Sequence, residues 1–330
     1  MKTALVTGAT GFIGRHLVKE LLKQGYKIKV LARNLKSTED IEVIKGDITN
    51  PNSLKGITTG VDYVFHLAAL TNTPQGTRNP YALFRKINVQ GTVNLLKECK
   101  DIKKFVYFSS VDALGIIQNE VLDERSIGNP TEPYEISKYE SELEVKKFQE
   151  ETGIPVTIMR PAMVYGEGEV ADAMKINVAV LQMCKMVKKF MFPIIGSGKN
   201  KLPFTHVNNI VQASISAIKT KDAEGQTYML ADERSYSLNE VVKTIANIER
   251  VRFPSIRIPK IIAYPAAIFF EILNKIIGIN PPLTRSGISY ITSNRLFNIK
   301  KAKKELNYKP IDLKEGLKRT IEWYKFKGYL

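Results

Sequence analysis

The sequence predicts an α/β protein: a doubly wound parallel sheet with a smaller C-terminal substrate lobe. Three observations carry this. Apolar runs of strand length alternate with segments of helical periodicity through the first half of the chain. The first strand and first helix meet at a turn holding three glycines, Gly8, Gly11 and Gly14. Beyond Gly166 the alternation loosens, so we expect a first domain over 1–166 and a lobe over 167–330 that returns some elements to the sheet.

The elements follow in order. Ala4-Leu5-Val6 reads as a strand and His16 to Lys23 as a helix with Leu17, Val18, Leu21 and Leu22 on one face. Between them, Gly8 permits a tight turn, Gly11 lets a pyrophosphate approach bare backbone, and Gly14 lets the helix pack closely on the strand. That is a dinucleotide site of the Rossmann kind. Lys27 to Ala32 is the second strand, and Arg33 follows where a carboxylate about 20 residues past the glycines would bind the ribose hydroxyls of NAD. Arginine there suits a 2′-phosphate, so NADP is expected, with NAD the alternative. Ile41 to Asp47 makes a third strand, a short helix follows Pro51, and Asp62 to Ala69 makes a fourth strand. A long amphipathic helix is expected between Pro80 and Lys100, then a strand over Phe105 to Ser110, a helix from Pro133 to about Thr152, and a strand from Val156 to Pro161. A helix over 170–190, a helix over Val207 to Lys219 and a late strand at Thr227 to Leu230 complete the reading.

Composition narrows the partners. The net charge of +16 over 330 residues comes mostly from scattered lysines, not from the basic blocks of nucleic-acid arms. It favours acidic ligands and an anionic membrane surface over nucleic acid. Cys99 and Cys184 stand alone, which suits a reducing compartment and gives neither a role. Strand-forming residues begin almost at Met1, so we expect no signal peptide and a cytoplasmic protein. No set of residues has the spacing of metal ligands, and His66 and His206, in apolar strand-like settings, read as packed histidines.

The chemistry is expected at Tyr134 and Lys138, four apart and so on one face of the helix opened by Pro133. A free phenol titrates near pH ~10, and a nearby ammonium would lower that value. Ser110, at the end of the preceding strand, could bond the substrate oxygen, while Asp112 reads as a turn aspartate serving backbone amides.

With these residues in place the chain resembles the extended short-chain dehydrogenase/reductases, the NAD-dependent epimerase/dehydratase superfamily. TGATGFIG at Thr7 to Gly14, GDI at Gly46 to Ile48, HLAA at His66 to Ala69, YEISK at Tyr134 to Lys138, RPAMVYG at Arg160 to Gly166 and the segment Lys301 to Tyr324 resemble its motifs in order. The resemblance implies a catalytic triad of Ser110, Tyr134 and Lys138, with Lys138 also binding ribose hydroxyls. It implies cofactor contacts at Gly8, Gly11, Phe12, Ile13, Gly14, Asp47, Ile48, Leu67, Ala68, Ala69 and Pro161, beside Arg33. Asn88 would hold the nicotinamide-side ribose or its water, and helices 80–100 and 133–152 would pair in a homodimer. Where nucleotide-sugar members carry an arginine clamp, this chain has Leu202 in Leu202-Pro-Phe-Thr-His-Val-Asn-Asn209, closer to the 3β-hydroxysteroid dehydrogenase and dihydroflavonol reductase branch. Valine and aspartate, Val111 and Asp112, follow Ser110 where dehydratases carry an Asp-Glu pair, which disfavours dehydration. The expectation is an NADP(H)-dependent interconversion of ketone and secondary alcohol on a small hydrophobic substrate; a nucleotide-sugar 4-epimerase and a non-catalytic dinucleotide sensor are the alternatives.

The most apolar stretch, 259–283, is broken by Pro265, Glu271, Asn274 and Lys275 and stopped by Pro281 and Pro282, too interrupted to cross a membrane. It leaves three readings: buried core, a lid with its apolar face on the substrate, or a peripheral membrane contact through 259–283. The lid, with its exposed end toward lipid, is the expectation, with Phe269 and Phe270 in it.

Overall fold

Seven parallel strands make the central sheet: β1 (Thr3–Thr7), β2 (Lys27–Ala32), β3 (Ile41–Lys45), β4 (Tyr63–His66), β5 (Lys104–Phe108), β6 (Val156–Pro161) and β7 (Gln226–Leu230). The structure, a computed structural model, describes residues 1–33, 37–74, 76–169, 179–253, 256–277 and 283–330. The strand order across the sheet is β3-β2-β1-β4-β5-β6-β7. Chain order reverses between β1 and β4, and in open sheets of this kind the crevice beyond the strand ends at that reversal is the ligand site. Every residue of β4 and β5 is buried, as expected where helices cover both faces of a parallel sheet.

Two apolar layers flank the sheet. One gathers Val6, Leu17 and Phe65 with Ile210, Tyr228 and Leu306 from far later in the chain. The other holds Leu5, Val64, Phe105, Phe148 and Ile158. The later residues reach the sheet through helix Val207–Lys219 and through β7, which pairs with β6. Lys104 in β5 ties that helix down, its ammonium donating to the carbonyls of Ala217 and Thr220 at 2.9 and 2.8 Å. A separate core, built on Val180, Leu202, Phe204, Val241 and Leu317, fills the lobe.

Several boundaries differ from expectation. The helix expected between Pro80 and Lys100 is helical from Pro80 to Leu96, but Arg85–Gln90 is a π turn between two α segments. Of the helix expected over 170–190, residues 170–178 lie outside the described residues, and the rest is Ala179–Lys188. Helix Lys260–Ile277 runs through Pro265 instead of breaking there, and Pro281 and Pro282 lie outside the described residues. Helix Leu238–Glu249, closed at its start by reciprocal bonds between Ser237 and Glu240, had no counterpart in the sequence reading.

Asp232, just past β7, is 2% exposed, and neither carboxylate oxygen has a partner among the described residues. Burial, reinforced by Asp312, pushes its pKa from the ordinary 3.8 to about 8. The folded protein therefore holds a proton that the unfolded chain has released between those values, and stability falls as pH rises through that window. Asp232→Asn should flatten that loss, and denaturant midpoints measured across the window check it.

Candidate active site

β1 ends at Thr7, and the chain turns through Gly8 at φ +70°, where glycine alone is unstrained. A Cβ on Gly8 would lie 2.7 Å from the Ala68 amide nitrogen, so the chain leaving β4 closes directly on the turn. Gly14 is tight in the other direction: its Cβ would stand 2.2 Å from the Gly8 carbonyl oxygen. Gly11 differs. It caps helix Phe12–Lys23, and a Cβ there would meet only the Gly8 carbonyl, at 3.2 Å. Its bareness leaves room over the first-turn amides, whose N–H groups and dipole favour an anion.

A cleft of about 460 Å³ opens at this turn. Gly8, Gly11, Leu67, Ala68 and Ala69 line it together with Arg33, Asp47 and Ile48 from the neighbouring strand ends. Phe12, Ile13 and Gly14 form the first turn of the helix and Pro161 ends β6; none of these is among the lining residues. The Arg33 side chain is 80% exposed, its Nη1 4.0 Å from Asp47 Oδ2. Asp47 accepts from the amide and hydroxyl of Thr49 at 2.8 Å each, and these bonds with Arg33 hold its carboxyl below the usual range. Lys86, from the π turn, adds a second cation that sequence reasoning missed. A turn without side chains, a helix N-terminus and two cations fit a phosphate-bearing dinucleotide.

Ser110 follows β5 and starts a short 3-10 turn, Val111–Leu114. Its hydroxyl accepts the Asp112 amide and donates to Asp112 Oδ2, each at 3.1 Å. Tyr134 is the second residue of helix Pro133–Thr152, its ring edge-on to Phe84 at 5.9 Å. Burial, then the Asp112 carboxylate, push its phenol well above the ordinary value, while the neighbouring Ser110 hydroxyl opposes them. One turn on, the buried Lys138 ammonium donates to the Phe108 carbonyl at 2.7 Å and lies 5.1 Å from the Tyr107 ring centre. Burial brings its own pKa down to about 8. In the chain without cofactor, burial of the phenol, and not the Lys138 ammonium, sets the direction of the Tyr134 shift.

Asn88 is reassigned too. Its Oδ1 accepts the Leu70 amide at 2.7 Å, and its Nδ2 donates to the Leu70 carbonyl and to Ser137 Oγ at 3.0 and 2.9 Å. Both amide hydrogens are engaged within the chain, so Asn88 positions the loop after β4 against the Tyr134 helix. Asp112 serves more than turn amides: its Oδ1 takes Arg295 Nη2 at 2.6 Å. Arg295, 2% exposed, lies with its guanidinium 4.5 Å from the Tyr290 ring centre, and its Nη1 has no partner among the described residues. The pair spans 183 positions, and no local pattern announces it. His66 is held by the hydroxyls of Thr7 and Thr92 at 2.7 and 2.9 Å, and burial lowers its pKa to about 3. His206 faces Glu167 at 2.9 Å. Among the described residues no three His, Cys, Asp or Glu side chains could hold a metal ion.

The model of the NAD dependent epimerase/dehydratase family matches residues 4–231. A 3beta-hydroxysteroid-dehydrogenase/decarboxylase isoform 1 of Arabidopsis thaliana is 28% identical over 355 aligned positions, covering 96% of this chain and 78% of that protein. UDP-glucose 4-epimerase of Vibrio cholerae is 28% identical over 329, covering 97% and 95%. Among solved structures, UDP-glucuronic acid 4-epimerase from Bacillus cereus in complex with NAD matches with a TM-score of 0.78 over 99% of this chain and 100% of that one. At 21% identity that likeness is one of fold. The glycine turn, the switch-point cleft and these matches together place the chain in the NAD-dependent epimerase/dehydratase family of extended short-chain dehydrogenase/reductases, whose members are NAD(P)-dependent enzymes.

Proposed function

We propose that the protein is an NADP(H)-dependent oxidoreductase that interconverts a ketone and a secondary alcohol on a hydrophobic substrate of steroid, isoprenoid or flavonoid type. The observation that carries the reading is the placing of Tyr134 and the buried Lys138 one turn apart on helix Pro133–Thr152, beside the Asp112 that holds the Ser110 hydroxyl and acts on the Tyr134 phenol. Bound nicotinamide supplies or accepts the hydride at carbon. When a carbonyl oxygen enters, the Ser110 hydroxyl turns its one hydrogen from Asp112 Oδ2 to that oxygen and orients it. Tyr134, whose raised pKa keeps it protonated at neutral pH, gives its proton to that oxygen as negative charge develops there. Asp112, held by Arg295, fixes the Ser110 hydroxyl. Lys138, anchored on the Phe108 carbonyl, presents the ammonium that would bind ribose hydroxyls.

Two features support the substrate and cofactor assignments. Leu202 is 2% exposed within the lobe core, so no diphosphate clamp is offered from that position. Arg33 and Lys86 line the cleft where a 2′-phosphate would add charge. Binding should favour NADPH over NADH by roughly 1.5–3 kcal/mol, one charge-assisted contact. Arg33→Ala should erase most of that preference; fluorescence titration reads it, and a wild type that binds NADH as tightly as NADPH ends the assignment.

A nucleotide-sugar 4-epimerase is the second reading, favoured by the unpartnered Arg295 Nη1, a donor suited to an anionic substrate group. An assay of apolar ketones and UDP-sugars with each cofactor decides: net NADPH oxidation with ketones supports the first reading, and UDP-sugar epimerisation without net cofactor turnover replaces it.

A further inference from the structure

Helix Lys260–Ile277 is packed with its small residues inward and its large ones outward. Ala263 and Ala267 form its buried face, against Ile195 and Ile288. Ile261, Ile262, Pro265, Ile268, Phe269 and Ile272 are exposed, and their spacing places them in one stripe along the helix. Ile261 is 82% exposed and Phe269 60%. Water selects the opposite arrangement, with isoleucine and phenylalanine inside. A contiguous apolar patch of this kind on a folded surface marks an interaction site. Of the three sequence readings of this stretch, the same observation sets aside buried core for these large apolar side chains.

Charge identifies what covers the stripe. From Arg250 to Ile277 the chain carries Arg250, Arg252, Arg257, Lys260 and Lys275 against one acid, Glu271. The Glu271 carboxylate is bonded to the Arg285 side chain at 2.8 Å, which balances its charge. Arg257 and Lys260 sit at the root of the helix, where Arg257–Ile258 pairs with Ile194–Ile195 and the Lys260 stem passes Gly196. A second copy of the chain docked on this stripe would set the same cations against each other. No helix among the described residues is long and apolar enough to cross a membrane. We propose that helix Lys260–Ile277 docks the protein on an anionic lipid bilayer, lying in the interfacial plane with its apolar stripe among the acyl chains and Arg257 and Lys260 at headgroup level.

The test needs no substrate, so its failure leaves the redox reading standing. The full chain is sedimented with vesicles of phosphatidylcholine alone and of phosphatidylcholine with phosphatidylglycerol. The bound fraction should rise with phosphatidylglycerol and fall with added salt. The triple variant Ile261→Ser, Phe269→Ser, Ile272→Ser should partition about tenfold less or weaker still, because three large apolar groups leave the acyl region. Its denaturation midpoint and NADPH titration should match wild type, since all three side chains are exposed. Lys260→Glu with Arg257→Glu, which leaves the stripe intact, should remove the dependence on phosphatidylglycerol. The proposal is overturned if wild type stays in the supernatant with anionic vesicles, or if the serine variant binds as wild type does. It is equally overturned if wild type sediments as a dimer without lipid and the serine variant as a monomer, which would make the stripe a self-interface.

Discussion

Tyr134→Phe lowers turnover by about 10²–10⁴ while leaving the fold and NADPH binding intact. The substitution removes one hydroxyl and keeps the ring, which packs edge-on against Phe84. What is lost is the proton donor. The effect should be large because the neighbouring groups are engaged: Ser110 is bonded to Asp112, Asp112 is tied to Arg295, and the Lys138 ammonium donates to the Phe108 carbonyl. Single-turnover rates measured beside a cofactor titration separate the two possibilities, since a purely structural role would weaken binding along with rate. Undiminished turnover by the phenylalanine variant would mean that another group delivers the proton.

The second large effect is on stability. Arg160 near the end of β6 and Glu142 on helix Pro133–Thr152 form a fully buried two-point ion pair at 2.9 and 2.6 Å. Arg160→Met leaves the Glu142 carboxylate, 1% exposed, without its two-point partner, at a cost of about 3–5 kcal/mol. Adding Glu142→Leu should return much of that loss, because replacing both members of a buried pair by apolar groups is often nearly neutral. Urea midpoints for the two single variants and the double variant read the cycle. An Arg160→Met variant as stable as wild type would show that Glu142 finds another partner, Lys138 lying one turn away.

The parts of the site that sequence made legible are local. The glycine turn, the strand ends and the Tyr134–Lys138 spacing each depend on residues within a few positions of one another, and short-range sterics fix them. Asp112–Arg295 and Arg160–Glu142 escaped notice because each joins segments that only the completed fold brings together. Lys86 went unnoticed, and Asn88 is engaged by the chain itself, because both lie in the π turn, which changes the direction of side chains without any glycine or proline within it to mark it. For helix Lys260–Ile277, hydropathy counts apolar residues but cannot say which face is buried; alanines facing inward were decisive, and alanine suits either side.

Asn88 is a strut between the cleft and the catalytic helix. Leu70 lines the cofactor cleft, Ser137 adjoins Lys138 in sequence, and a single side-chain amide fastens the first to the second. A ligand that shifts the Leu70 backbone must carry Asn88 with it or break its bonds, so the displacement is felt at the helix bearing Tyr134 and Lys138. Such linkage is reciprocal: whatever occupancy at one end does to the other, occupancy at the other returns in equal measure. Asn88 is therefore the place where a change at the cofactor cleft would first be passed to the helix that carries Tyr134 and Lys138.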